Sequence, residues 1–562
     1  YRLTAFQILF NVGSMGPIYP GIASKGIKAL MGSSSKKKKT IEGVQFPVTN
    51  SETGERSTTR TGKDVWVAAA SALPDGHGEK IGARIAKEKD WRHQYPRHVT
   101  SLAEATLVSP EAALSVARAG LAKLYASLVF VRGDEAMPLP TAMKRFTAPT
   151  LRTVTVSGGA PMPSPLRLSV PISAGGRGNS DPKPLTGAAL EAQLEAWVAS
   201  GELEPDTKAT LLSVMANDEW LDLRGRCFVV FGANSEVGPC RHLLALGATV
   251  AAVGTRRKDR WASLIAYART THGTLLVPVA TTGAHVDADD ADDADDAATA
   301  AAAGANLLTE APEIRTWLAS CCFAPLTIGC YTYLDGDMHV RVNLACDAIV
   351  EALAAETAFG KGAALHYLGS PGTAHVVPPA AHAAAEAAAS AAPSWQKLWL
   401  ALSVFVKAAR LPIQDRTSGA AFAVLDGLVV LQGPSYALAK QLQMWRAVLA
   451  RADGHVVSTP MAPAVRTDSM IKVATIRASL AGAPYFGSHS YEPATASAVM
   501  ALLLVAHVRD PKSAHASPAM PLQNPTEAFA LDGFTGGLWR APYTSQSTGA
   551  ATVILGYIAP RV

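Results

Sequence analysis

Cys227-Phe228-Val229-Val230-Phe231-Gly232-Ala233-Asn234-Ser235-Glu236-Val237-Gly238 joins an uninterrupted apolar run to a glycine-bearing loop. A strand that enters such a loop and continues into a helix leaves backbone N–H groups at the helix N-terminus, where a pyrophosphate binds. Gly232 and Gly238 hold the first and last positions of a seven-residue loop that also contains Asn234, Ser235 and Val237. Ser235 and Glu236 stand where a middle glycine would be, so a plain β–α turn is the alternative reading.

Downstream, short apolar runs alternate with helical stretches. The runs are Cys227 to Phe231, Thr249 to Val253, Leu275 to Val279, Leu326 to Cys330, Leu365 to Leu368 and His455 to Val457. Helices are expected at 238–246, 260–271, 312–321, 339–355 and 435–451. This alternation predicts an α/β fold with a doubly wound parallel sheet, Rossmann-like, from about 216 to 562. Insertions interrupt it at about 284–303, an acidic repeat from Asp287 to Asp296 expected to be a disordered loop, and at about 378–410, Ala-rich and then amphipathic. Residues 1–215 read as a mainly helical and irregular N-terminal extension of unknown role. Pro110 to Phe130 is helical there, 138–187 is proline-rich and irregular or short-stranded, and 32–62 is a polar loop or arm.

The second run ends in Gly254-Thr255-Arg256-Arg257-Lys258. An acidic residue there would bind the ribose diol of NAD, whereas Arg256 and Arg257 suit the extra phosphate of NADP. A solvated basic turn is the bland alternative. Farther on, Tyr436 and Lys440 stand four residues apart in Gly433-Pro434-Ser435-Tyr436-Ala437-Leu438-Ala439-Lys440. On a helix they share a face, and a neighbouring ammonium lowers a phenol's pKa and makes it a usable acid or base. An ordinary amphipathic helix would carry the same pair.

Taken in order, these motifs resemble the short-chain dehydrogenase/reductase (SDR) family over about 224 to 560. The glycine loop resembles that family's cofactor loop, and Tyr436 with Lys440 its YxxxK. Arg341-Val342-Asn343-Leu344-Ala345-Cys346 resembles the helix segment carrying the family's asparagine, and Asn306 stands where an aspartate near the adenine is usual. Thr459-Pro460-Met461-Ala462-Pro463 resembles the nicotinamide-side loop. The resemblance implies hydride transfer between NADP (NADPH) and a carbonyl or alcohol. Tyr436 would exchange the substrate proton, Lys440 would lower its pKa and hold the nicotinamide ribose, and Asn343 would support a relay water. Thirteen residues before Tyr436 stands Ala423, so the serine role falls to Ser370 by its position at a strand end, 66 residues away. Ile328-Gly329-Cys330-Tyr331 replaces the family's Asn-Ala-Gly.

The 562 residues carry a net charge of only +5, which implies no nucleic-acid partner, and 48% hydrophobic content is enough for sizeable cores. Thr4 to Ser24 is uncharged but broken by Gly and Pro, so no regular transmembrane span is expected, and Ala494 to Ala506 reads as a buried helix. Lys36 to Lys39 reads as a solvated basic loop. The six cysteines form no CxxC pair, and no His/Cys spacing suggests zinc. Free thiols in a reducing intracellular compartment are expected, with cytoplasm and organelle matrix or stroma both open. The chain begins with Tyr1, from which processing or truncation and loss of any targeting signal are expected. His339, His366, His375, His455 and His507 read as core or surface residues rather than ligands, and Trp395, Trp399, Trp445 and Trp539 as packing. Asp532 to Gly537 reads as a glycine-rich turn, with a substrate-side or oligomer-forming loop as the alternative.

Two functions follow. One is an NADP-dependent reductase acting on a small-molecule carbonyl or alcohol, in a fold that commonly forms homo-oligomers. The other is a diverged relative serving as a structural or assembly subunit of a larger complex, with or without bound nucleotide, with protein partners met through the N-terminal extension.

Overall fold

Buried on both faces, a parallel strand must be apolar throughout. Cys227–Phe231 meets that condition, since all five residues are buried, and it forms the centre of a seven-stranded sheet in the computed structural model of the chain. The structure describes residues 41–163, 166, 169–172, 183–281, 295–356 and 362–558. The stretch Thr4 to Ser24, the basic run Lys36 to Lys39 and the acidic repeat up to Asp293 lie outside the described residues.

The strands of this sheet are β1 (Leu151–Ser157), β2 (Cys227–Phe231), β3 (Thr249–Val253), β4 (Thr274–Ala280), β5 (Leu326–Cys330), β6 (Ala364–Tyr367) and β7 (Val457–Ser458). Their spatial order is β7-β6-β5-β2-β3-β4-β1. All pairs are parallel except β1 with β4, which runs antiparallel from Leu151 opposite Ala280 to Ser157 opposite Thr274. The six parallel strands alone follow the doubly wound, Rossmann-like order, whose direction of winding reverses between β2 and β5. Ligands of such sheets bind at that switch, beyond the carboxyl ends of the strands.

Residues Glu42–Val562 make one compact unit. The change of pattern near 215 marks where the parallel β–α alternation begins, while the segment before it supplies β1 and part of the core. β1 realises the short-stranded alternative within 138–187, but other features depart from the sequence reading. A helix over Leu139–Arg145 corrects the irregular or short-stranded reading there, and in the polar 32–62 stretch a short strand over Gly43–Gln45 is followed by the start of helix α1 (Thr58–Ser71). In the acidic insertion the described end is helical, Asp296–Ala302, with the Asp295 side chain accepting the Ala297 N–H as a cap.

Helix α2 (Pro110–Ser127) begins with proline at its first turn and a Ser109 cap. It packs with α1 against α5 (Pro434–Ala452), beside α4 (Asp337–Ala354). The contact is specific. Trp445 of α5 meets Trp66 of α1 edge-on at 5.6 Å, and a Cβ on Gly120 of α2 would lie 2.4 Å from the Trp445 ring. Beneath it, Arg446 grips Asp347 of α4 through two 2.7 Å hydrogen bonds, and Tyr125 of α2 donates to the same carboxylate at 2.8 Å. Between β6 and α5 the chain makes an excursion over residues 371–433. It contains a three-stranded sheet of Ala374–Val377, Ala421–Asp426 and Ile413–Gln414 and helices over Pro379–Ala391 and Ser394–Ala401. Helix α6 (Pro493–Arg509) is buried over most of its length, as its apolar sequence predicts, and no helix among the described residues is long and apolar enough to cross a membrane. All six cysteines are free thiols.

Gly120→Ala distinguishes packing from helix propensity. Propensity alone would stabilise α2 by up to about 1 kcal/mol, whereas the new methyl must displace Trp445, and overpacking costs about 1–3 kcal/mol. We expect a net loss of stability in urea unfolding. A gain would show that Trp445 is loosely held.

Candidate active site

Tyr436 lies in the first turn of α5, where Pro434 starts the helix and Gly433, at φ 84°, turns the chain into it. Ser370 stands just beyond the carboxyl end of β6. The preceding residue, Gly369, bridges to Met461 in parallel register, donating its N–H to Pro460 O at 2.9 Å and accepting from Ala462 N at 3.1 Å. Pro460 is thereby fixed beside the serine turn. Ser370 Oγ and the Tyr436 hydroxyl are 2.7 Å apart, although 66 residues separate them in the chain. Ala423, thirteen residues before Tyr436, instead lies buried in the excursion's sheet.

Lys440 sits one turn along α5. Its ammonium donates to Leu368 O at 3.3 Å and to Gln443 Oε1 at 3.1 Å, rather than to the Tyr436 phenol. Gln443 Nε2 in turn donates to Asn343 Oδ1 at 2.6 Å, and Asn343 Nδ2 donates to His339 O at 2.8 Å, one turn earlier in α4. The Gln443 side chain thus joins Asn343 to Lys440.

Burial changes the expected electrostatics. It raises the Tyr436 pKa above the usual phenol value, with the Ser370 hydrogen bond opposing, so the expected lowering by Lys440 is corrected. Burial also pushes Lys440 down to about 8. The His339 imidazole stacks on the Tyr436 ring at 5.4 Å, and burial, followed by the nearby Lys440 charge, lowers it to about 3. Tyr333 leans over both rings from the exposed side, 5.2 Å from His339 and 6.4 Å from Tyr436. Gln443, His339 and Tyr333 were not singled out from the sequence as site residues. The available signals were the i, i+3 spacing of Lys440 with Gln443 and the i, i+4 spacing of His339 with Asn343.

On the other side of the sheet's switch, the glycine loop follows β2. Gly232, at φ 83°, passes so close to β5's end that a Cβ would lie 2.8 Å from Tyr331 O. The loop is two successive turns, Ser235 N to Gly232 O and Gly238 N to Ser235 O. The N–H groups of Asn234, Glu236 and Val237 donate to no other described residue. The Asn234 side chain lies near Gly254, whose Cβ would come within 3.2 Å of it. Helix α3 (Cys240–Ala245) is six residues long, shorter than the 238–246 expected, because Pro239 precedes it and Gly247, at φ 85°, follows it. At Ile328-Gly329-Cys330-Tyr331, Tyr331 folds back over Gly329, where any side chain would strike its hydroxyl.

Arg256 and Asn306, read separately from the sequence, come together through one carboxylate. Arg256 pairs with Glu310 at 2.6 and 2.7 Å, and Asn306 N–H donates to the same Glu310 at 2.7 Å. Asn306 Oδ1 accepts the Leu308 N–H. Arg257 pairs with Asp259 at the surface. The cavity reaching Ser370, Lys440 and Gln443 measures only about 10 Å³, roughly the room of one water.

The sequence matches no protein-family model, and no curated protein matches it.

Lys440 supplies a pH test. Its folded pKa near 8 lies below the ordinary lysine value of 10.5, so the unfolded chain holds the extra proton between these values. The burial cost is full below about pH 8 and is relieved as pH rises toward 10.5. Wild type should therefore gain stability relative to Lys440→Met across that window in denaturant titrations. A flat difference would mean that Lys440 is not desolvated.

Proposed function

We propose that this chain is an NADP-dependent reductase of the short-chain dehydrogenase/reductase type, acting on a carbonyl or alcohol. The observation that carries the reading is the 2.7 Å contact between Ser370 Oγ and the Tyr436 hydroxyl, with Lys440 one turn away. General acid–base transfer needs groups within hydrogen-bond reach of one shared position, and these two hydroxyls are so arranged.

The residues around the glycine loop fit a dinucleotide. Gly232 admits close backbone approach, three loop N–H groups have no described partner, and the loop opens at the switch between β2 and β5. Gly232, Asn234, Ser235, Val237 and Gly238 would hold the pyrophosphate, Arg256 and Arg257 the extra phosphate, Asn306 the adenine side and Pro460 the nicotinamide side. When bound, the nicotinamide supplies a hydride. Tyr436 holds the proton that the substrate oxygen receives, and Ser370 hydrogen-bonds that oxygen. Burial raises the Tyr436 pKa, which favours the protonated phenol that donates to the substrate oxygen. Asn343 and Gln443 are positioning residues that hold Lys440.

The small cavity beside Ser370 favours a second reading, a nucleotide-binding assembly subunit without turnover. A panel of aldehydes and ketones with NADPH separates the two. The reductase reading expects consumption of NADPH with at least one of them, lowered about 100- to 10,000-fold by Tyr436→Phe and about 100- to 1,000-fold by Ser370→Ala. NADPH binding with no turnover on any carbonyl would favour the subunit. Since Glu310 occupies Arg256, Glu310→Gln should raise the preference for NADPH over NADH in binding titrations. An unchanged ratio would remove Arg256 from the phosphate site.

A further inference from the structure

Away from Tyr436, a buried cluster of two imidazoles and a carboxylate lies under β7. His507 on α6, His515 in the turn beyond it and Asp532 in a later loop are 0%, 1% and 6% exposed. His507 Nε2 is 2.9 Å and His515 Nε2 3.5 Å from the same oxygen, Asp532 Oδ2. The two rings stack at 3.9 Å, which brings both Nε2 atoms to that oxygen.

Each group is oriented from behind. His515 Nδ1 is 3.1 Å from Val457 O, a carbonyl that can only accept, so Nδ1 carries the proton and Nε2 presents its lone pair. That Nε2 is buried without a hydrogen-bond partner and faces a carboxylate. Two acceptors so placed repel unless a proton or a metal cation lies between them, and burial lowers the His515 pKa to about 3, which disfavours the proton. His507 Nδ1 is 2.7 Å from Ser458 Oγ, which is 2.8 Å from His366 Nδ1, so the hydroxyl can accept from one ring while donating to the other. The second Asp532 oxygen accepts from Thr210 Oγ1 at 2.7 Å. Metal-binding histidines and carboxylates are held in this way by a second set of partners.

We propose that His507, His515 and Asp532 bind one Zn²⁺ ion. Two imidazoles and a carboxylate suit zinc, whereas magnesium and calcium take oxygen ligands. The three candidate ligand atoms lie within 4.8 Å of one another. The two N–O separations bracket the roughly 3.3 Å edge of a tetrahedron built on ~2.0 Å bonds. Three protein ligands leave the fourth position to water. The ion would fasten the turn after α6 and the Asp532 loop together beneath β7. The ligands come from scattered positions, so no zinc spacing marks them in the sequence.

The test uses the full chain without a polyhistidine tag, expressed in zinc-supplemented medium and analysed by elemental mass spectrometry. The expected result is one zinc per chain. Removal by a chelator during mild warming should lower the melting temperature, and reloading with Zn²⁺, but not Mg²⁺, should restore it. Co²⁺ reloading should give the visible absorption of a tetrahedral N/O site. Thr210→Val, which keeps all three ligands, should weaken binding about 10- to 100-fold, and His515→Gln and Asp532→Asn should lose the metal. Only trace zinc in the wild type, or full zinc retained in both ligand variants, would overturn the proposal. If the ligand variants do not fold, the wild-type stoichiometry and Thr210→Val decide.

Discussion

The 2.7 Å contact between Ser370 and Tyr436 is the constraint on which the candidate site depends. Neither partner is held locally. Ser370 rides on a turn whose glycine is tied to Pro460 and Ala462, and Tyr436 rides on the first turn of a long helix. That helix is fixed by groups outside the candidate site: Trp445 seated against Gly120 and Trp66, and Arg446 clamped on Asp347. The segment before residue 215 therefore has a structural task, since α1 and α2 form the wall against which α5 is set. A shift of an ångström in α5 would separate the hydroxyls, and catalytic groups lose much of their effect at such misplacements.

Burial sets the charge state of this site more than pairing does. Tyr436 is raised and Lys440 lowered for the same reason, since desolvation penalises whichever form is charged. His339, stacked on Tyr436, is held neutral by the same effect. At the basic turn the opposite rule applies. Arg256 is partly exposed and already matched by Glu310, so a ligand phosphate there must compete with a bidentate carboxylate.

Much of the sheet was legible because parallel strands buried on both faces are written as unbroken apolar runs. Cys227–Phe231, Thr249–Val253 and Leu326–Cys330 have the expected limits for that reason. Helices opened by proline, such as α2, α5 and α6, were equally plain. β1 was hidden because it is an antiparallel edge strand with partly exposed alternate residues, set between prolines at 149 and 161. Ser370 could be placed by its strand end, but its meeting with Tyr436 depends on how the 371–433 excursion returns, which no local pattern encodes. The Gln443–Asn343 bridge and the His507–His515–Asp532 cluster are likewise contacts between distant segments. Each of their residues, read alone, is an ordinary polar side chain.

The central claim is that the loop from Gly232 to Gly238 and the Ser370–Tyr436 pair belong to one nucleotide-dependent site. It is tested most directly by equilibrium fluorescence titration of the full chain with NADPH, following energy transfer from tryptophan to the nicotinamide. Saturable binding of one NADPH per chain with micromolar affinity is the predicted result. Absence of saturation up to about 1 mM, which corresponds to no more than roughly 4 kcal/mol of binding, would contradict it and leave a Rossmann-like sheet without its nucleotide.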